Sequence, residues 1–252
     1  MSFVDRYEHE VMNAVGLRGT ISVRDLATLL DVSEQTVRRV VKPMVERGEV
    51  RKLHGAITSV TSNGDAPFLS RMNVAREAKI AIAAEVARLV RDGDTVALDS
   101  GSTTGYTAQA LRGHHGLTVV TNSSFIATTL ATIPGNRVHM AGVELRNHDG
   151  ASFDAFAFHV VRSMKVRVAI LSASAVDPRR GPMVHELAEA EMSVAMGGIA
   201  DVRILAVDAT KFGRSALVAL PALRASDVVV TDRLVPRNMR AAVEPATLRL
   251  AT

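Results

Sequence analysis

Two groups of side chains in this sequence are spaced for chemistry. The first runs from Ser33 to His54, with Gln35, Thr36, Arg38, Arg39 and Lys42 in a helical pattern and Arg51, Lys52 and His54 in an alternating one. Amides and hydroxyls at that spacing can reach base edges in a major groove, while the cations beside them hold phosphates. The second group follows short β-branched runs. TVALD leads into SGSTTGY, LTVVT into Asn122 and Ser123, and VRILAVD into ATKFG. Small residues at such a turn let the backbone approach an anion, and hydroxyls and helix-terminal amides donate hydrogen bonds to it. Ser102, Thr103 and Thr104 are therefore phosphate candidates, Lys211 is a cation at another strand end, and Lys79 is a second cation on a helix.

The elements that must position these groups are bounded first by composition. A chain of 252 residues with 47% hydrophobic and 22% charged residues buries a sizeable core and divides into two unequal domains. Apolar runs fall well short of the roughly 20 residues that span a bilayer, so no membrane segment is expected. The opening MSFVDRYEHE has acidic residues where an export signal is basic and then apolar, and the absence of cysteine excludes disulfides, thiolate metal sites and a cysteine nucleophile. A cytoplasmic location is expected. Scattered histidines without an HExxH pair give no metal site, and no cofactor is expected. The formal net charge is +4, and an equal excess sits between Arg38 and His54, where Arg38, Arg39, Lys42, Arg47, Arg51 and Lys52 face only Glu46 and Glu49. Such a cluster is the electrostatic footprint of phosphate binding.

Val4, Tyr7, Val11 and Val15 recur at helical spacing and predict a first helix ending near Gly16 and Gly19. Ser22, with Asp25 three residues on, resembles a capping box before a short second helix that buries Leu26, Leu29 and Leu30. DVS at 31–33 is a tight connection, and Ser33 caps a third helix whose Val37, Val41, Met44 and Val45 face inward. Two short helices joined by about three residues make a helix-turn-helix. The alternation in EVRKLHGAIT adds a small β-hairpin wing, so residues 1–57 read as a winged helix-turn-helix.

TSVTSNGDAP has loop composition, giving a linker over 58–70 and a second domain over 71–252. There helical patterns alternate with β-runs: EAKIAIAAEVARLV, TVALD, a helix from about Gly105, LTVVT, a helix from about Ser123, RVHMA, VRVAILS, VHELAEAEMSVAM, VRILAVD and DVVVTD. The fold class expected is α/β, a winged helix-turn-helix followed by a larger domain with a mainly parallel sheet and helices on both faces. Ligands in such domains bind beyond the carboxyl ends of the strands.

VSEQTVRRV followed by an HGGA-like wing, together with AREAKIAIAAEVARLVRDGDTVALDSGSTTGYTAQAL, VVTNSS and VDATKFG, resembles the DeoR family of bacterial regulators over nearly the whole chain. The sensor domain of that family is similar in fold to ribose-5-phosphate isomerase and the CoA transferases. The resemblance implies a phosphorylated sugar or related effector bound around Asp99, Gly101, Ser102, Thr103, Thr104, Asn122 and Lys211, with Glu189 placed to contact hydroxyls. Departures carry expectations too. Val40 stands where an acidic residue is usual, and Pro43 inside the third helix predicts a kink or split there. AGVE at 141–144 replaces paired glycines, Asp154 a small glycine, and Arg167 an acidic residue, so a charge near the site would alter ligand choice.

Three functions follow. The first is a DNA-binding regulator, a repressor of a carbohydrate operon, that pairs as a dimer or tetramer on a double-stranded operator and is released by a phosphorylated metabolite. The alternative is a sugar-phosphate isomerase, deaminase or CoA-transferase-like enzyme carrying a DNA-binding module, with Asp99 or Glu189 as base and Lys211 stabilising negative charge. The third is a DNA-binding or partner-binding protein whose second domain has lost its ligand.

Overall fold

The computed structural model describes residues 3–18, 20–53, 55–59 and 68–251. The chain separates into two compact units, Met1–Asn73 and Val74–Thr252.

In the first unit, helix α1 (Phe3–Arg18) ends between the two glycines expected to stop it, Gly16 and Gly19, and Val11, Ala14 and Val15 form its buried stripe. The side chain of Val4 is outside those described. Strand β1 (Thr20–Ser22) leads into α2 (Val23–Leu29), whose cap is Ser22, its Oγ accepting from the amide of Asp25 at 2.9 Å. The connection places Asp31 at φ 52°, a left-handed geometry that Asp tolerates better than most residues. Helix α3 (Glu34–Glu46) begins at Ser33, whose Oγ accepts from the amide of Thr36. It buries Val37, Val40, Val41 and Met44. Val45, expected inside, is exposed, and Val40 takes its place because the stripe drifts along the 100° step of the helix. Leu29, also expected inside, is exposed.

Pro43 does not split α3, which runs unbroken to Glu46. The carbonyl of Pro43 still accepts from Arg47 at 2.9 Å, so the next turn closes normally. Strands β2 (Val50–Leu53) and β3 (Ala56–Ser59) form the expected hairpin, and β1 adds a third antiparallel strand in the order β1-β3-β2. Helix α4 (Phe68–Asn73) packs on α1. The linker expected at 58–70 is thus shortened at both ends, by a strand that reaches Ser59 and a helix that starts at Phe68, and residues 60–67 lie outside the described ones.

The second unit comprises α5 (Arg76–Arg88), β4 (Thr95–Leu98), α6 (Ser102–Ala110), β5 (Thr118–Thr121), α7 (Ser124–Ala131), β6 (Arg137–Met140), α8 (Ala155–Arg162) and β7 (Val166–Leu171). It continues with β8 (Ala175–Asp177), β9 (Gly181–Val184), α9 (Leu187–Gly198), β10 (Ala200–Ala206), β11 (Val218–Ala219), β12 (Val228–Thr231) and β13 (Thr247–Leu250). Helix α6 begins at Ser102, three residues before the start expected near Gly105. Seven strands make one parallel sheet, ordered β13-β12-β10-β7-β4-β5-β6.

Alternate residues of the central strands feed two cores. On one face Ile82 and Val86 of α5, Ala108 of α6 and Ile126 and Leu130 of α7 pack with Leu98, Ile170, Ile204 and Val230. On the other, Val161 of α8 and Met192 and Met196 of α9 pack with Ala97, Leu171, Leu205 and Val229. The small antiparallel sheet β11-β9-β8 extends this second core through Val176 and Val184. Truncating any of these large aliphatic side chains to Ala costs about 2–5 kcal/mol. At the amino ends of the strands, Arg167 pairs with Asp94 and Arg203 with Asp227.

Chain order reverses between β4 and β7: β4, β5 and β6 follow one another outward on one side, and β7, β10, β12 and β13 on the other. A crevice forms outside the carboxyl ends of such a pair, because the two connecting loops leave in opposite directions.

Candidate functional sites

Gln35, Arg38, Arg39 and Lys42 stand at i, i+3, i+4 and i+7 of α3, and all four are exposed. One face of the second helix of the helix-turn-helix therefore carries an amide and three cations, opposite the buried Val37, Val41 and Met44. Ser33 and Thr36 spend their hydroxyls on each other, 2.9 Å apart, and on the helix start. Arg38 is steadied by Glu34 at 2.8 Å, an exposed pair worth a few tenths of a kcal/mol, so it can be recruited elsewhere at little cost. Arg39 and Lys42 have no ion pair among the described residues. Arg51 and Lys52 are exposed on β2, while His54 lies outside the described residues. Arg47 is removed from the basic set, since its guanidinium is held at 2.8 Å by both Glu8 of α1 and Glu49.

At the switch between β4 and β7, Asp99 is buried and takes donors from both sides. Its Oδ2 accepts from the amide of Ser172 at 2.6 Å and from the Ser172 hydroxyl at 2.9 Å, and its Oδ1 accepts from the amide of Gly101 at 3.1 Å and the Thr104 hydroxyl at 2.8 Å. Burial pushes the Asp99 carboxyl above its usual range, and these donors pull it back. Ser172 sits directly after β7, and no sequence pattern singles it out. The donors of the 101–104 turn are thus partly used within the protein: the Gly101 amide and Thr104 hydroxyl go to Asp99. Ser102 and Thr103 open α6 and are buried, and no side chain caps that helix.

One strand further, Asn122 is fully buried, with Nδ2 donating to the carbonyl of Ser152 at 3.0 Å and Oδ1 without a hydrogen-bond partner among the described residues. Asp154 lies next along this path. Its carboxylate accepts from the amides of Val143, Glu144 and Ala157 and from the hydroxyl of Ser152, capping α8 and pinning the AGVE loop. The amides of Val143, Glu144 and Ala157 hold the carboxyl well below the usual range. The one glycine retained in that loop, Gly142, has φ 110°, and a Cβ there would fall 1.9 Å from Ser152 Oγ.

The remaining expected residues are dispersed. Lys79, on α5, is fully buried rather than superficial. Lys211 is half-buried in the short turn after β10, two strands from β4. Glu189 closes a capping box with Glu186 at the start of α9, and its Oε1 lies 3.3 Å from Arg146. Arg146 also reaches Asp149 and Glu186 and stacks 4.1 Å from the Phe153 ring. Arg167 is not near the crevice at all. It sits at the amino end of β7, donating to Asp94 and to the carbonyl of Leu89, so the expectation that its charge alters ligand choice is corrected. Among the described residues no group of acidic or histidine side chains could hold a metal, and no helix is long and apolar enough to cross a membrane.

Two family profiles match this chain: the DeoR-like helix-turn-helix domain over residues 9–63 and the DeoR C terminal sensor domain over residues 74–233. The chain is 29% identical over 241 residues to the HTH-type transcriptional repressor CsqR of Escherichia coli strain K12, covering 96% of this chain and 92% of that one. It is 31% identical over 219 residues to the glycerol-3-phosphate regulon repressor of Haemophilus influenzae, covering 87% and 85%. A solved D-ribose-5-phosphate isomerase in complex with phospho-erythronic acid aligns over 54% of each chain, with 20% identity and a TM-score of 0.40.

Proposed function

This chain belongs to the DeoR family of helix-turn-helix transcriptional regulators, and from that premise we propose that it represses a carbohydrate-metabolism operon and is released from its DNA by a phosphorylated sugar or polyol. It is a regulator, not an enzyme, as are its named relatives. The observation that carries the proposal is the joining, in one chain, of a cationic α3 face to a parallel sheet with a buried, unpartnered acceptor, Asn122 Oδ1, at its strand ends. An acceptor with no protein donor suits a ligand hydroxyl. The α3 row Gln35, Arg38, Arg39 and Lys42 enters the major groove, with Ser33 and Thr36 setting the helix start and Arg51, Lys52 and His54 on flanking phosphates.

The effector lies along the strand ends, around Asn122 and the 101–104 turn held by Asp99, with Lys211 and the buried Lys79 of α5 as the cations that attract it. Glu189 acts through Arg146 rather than on hydroxyls. The protein is a homo-oligomer, dimer or tetramer, working in the cytoplasm on half-sites about 34–36 Å apart.

Fluorescence anisotropy of an operator duplex against paired phosphorylated and unphosphorylated sugars tests this. Release by phosphorylated members only, weakened in Lys211→Ala, is the expected result. If neither operator affinity nor melting temperature responds to any member, the sensor reading fails and a ligand-free assembly domain takes its place.

A further inference from the structure

A single guanidinium joins three elements of the first unit. Arg47 closes α3, and its Nη2 donates to the carboxylate of Glu8 on α1 at 2.8 Å. Its Nε donates to Glu49 Oε1 at 2.8 Å and Nη2 to Glu49 Oε2 at 3.0 Å, a bidentate grip on the residue that leads into β2.

The chain passes from α3 to β2 through Gly48, at φ 71°, with no atom within 4 Å of where a Cβ would stand. Two backbone bonds hold this turn to the helix, from the amide of Gly48 to the carbonyl of Val45 and from that of Glu49 to Met44. A glycine with open space around it is a soft joint. Beyond it, Val50 and Ile57 anchor the β2–β3 hairpin in the core, while Arg51 and Lys52 are exposed on β2. The bridge from Arg47 to Glu49 spans the joint, and the bond to Glu8 ties it to a third element. An isolated exposed ion pair contributes little to stability, but a planar fork gripping one carboxylate in bidentate fashion, within a network, fixes direction as well as distance.

The two carboxylates oppose DNA. Glu8 and Glu49 add negative charge to the unit that must approach phosphates, so on electrostatics alone their removal would tighten binding. A benefit to operator binding has to come through the geometry they hold.

We propose that Arg47 is a positioning residue for operator binding: with Glu8 and Glu49 it sets the pitch of the β2–β3 wing so that Arg51 and Lys52 reach phosphates, and it does not touch DNA itself. The inference rests on the wing contacts given under the proposed function.

The probe is a duplex that the full-length wild-type chain selects from a random-sequence pool, titrated by fluorescence anisotropy over a salt series. Arg47→Ala should weaken binding at least about threefold and reduce the slope of log K against log salt by about 2, the share of Arg51 and Lys52. Its melting temperature should stay close to wild type, because the pairs lost are exposed. Arg47→Lys, which keeps the charge without the fork, should recover only part of the loss. Glu8→Gln/Glu49→Gln should also weaken binding, against the direction its lost charge dictates. In an Arg51→Ala/Lys52→Ala background, Arg47→Ala should add nothing. Tighter binding by the Gln variant overturns the proposal, as does a further loss from Arg47→Ala in that background, which would make Arg47 a phosphate contact. If Arg51→Ala/Lys52→Ala binds as wild type does, the wing-contact reading fails and takes the proposal with it. If that variant is weakened while Arg47→Ala binds like wild type, the wing contacts stand and the proposal alone fails.

Discussion

Asp99 and Ser172 face each other across the one place in the sheet where chain order reverses, and the carboxylate of the first takes both the amide and the hydroxyl of the second. This pair ties the loop after β4 to the loop after β7. Any ligand that separates those loops must break two hydrogen bonds to a buried carboxylate.

The closeness of that tie makes Gly101 irreplaceable. Its φ of −72° suits any residue, but a Cβ would lie 2.0 Å from Ser172 Oγ and 2.7 Å from Ser172 Cβ. Gly101→Ala is expected to cost about 2 kcal/mol in urea unfolding, through overpacking. Adding Ser172→Gly should recover at least about 1 kcal/mol of that loss, a non-additivity that only direct contact produces. Additive costs would show that the two positions do not collide.

On α3, Arg39→Ala should lower operator affinity by about 1–3 kcal/mol and relax preference at one base pair, the mark of a bidentate base contact. Lys42→Ala should weaken all sequences alike and reduce the slope of log K against log salt by about 1. Binding titrations on an operator and its single-base variants, over a salt series, separate the two. Identical behaviour of both variants would return Arg39 to the phosphates.

Asp154 predicts an acid limb in stability. Amide donors from Val143, Glu144 and Ala157 lower its carboxyl pKa on folding, so its stabilisation is complete above the unfolded value of about 4 and is lost as pH falls through the folded value. Asp154→Asn should melt below wild type at neutral pH, with the gap narrowing below about pH 4. A gap that stays constant to the lowest pH at which wild type folds would assign the loss to packing instead.

Arg167→Ala removes the partner of Asp94 and should cost about 1–3 kcal/mol of unfolding free energy. Because the pair lies at the amino ends of the strands, affinities for operator and effector should stay at wild-type values once the protein is folded. A shift in effector affinity would place Arg167 in communication with the opposite rim.

The helix-turn-helix was legible because Ser22 and Ser33 announce their helices and the stripes of α2 and α3 are long enough to show a period. The stripe of α3 was misplaced at one position, Val40 against Val45, since an apolar face that wide admits either. The main strands were legible as β-branched runs, but β8, β9 and β11 are only 2–4 residues each and β9 contains Gly181 and Pro182, so no period could form. Strand β13, TLRL, has no buried face to mark it. Ser172 escaped notice for another reason: the adjacency of β7 to β4 is a property of the sheet, not of local sequence.

Arg146 alone bridges the three carboxylates of Asp149, Glu186 and Glu189, an acidic corner of the sensor domain. The corner repels a phosphorylated molecule at distances up to roughly the 8 Å over which physiological salt screens charge. Screening of that repulsion means that the capture rate of an anionic metabolite approaching this corner should rise with ionic strength, while that of a neutral analogue stays flat.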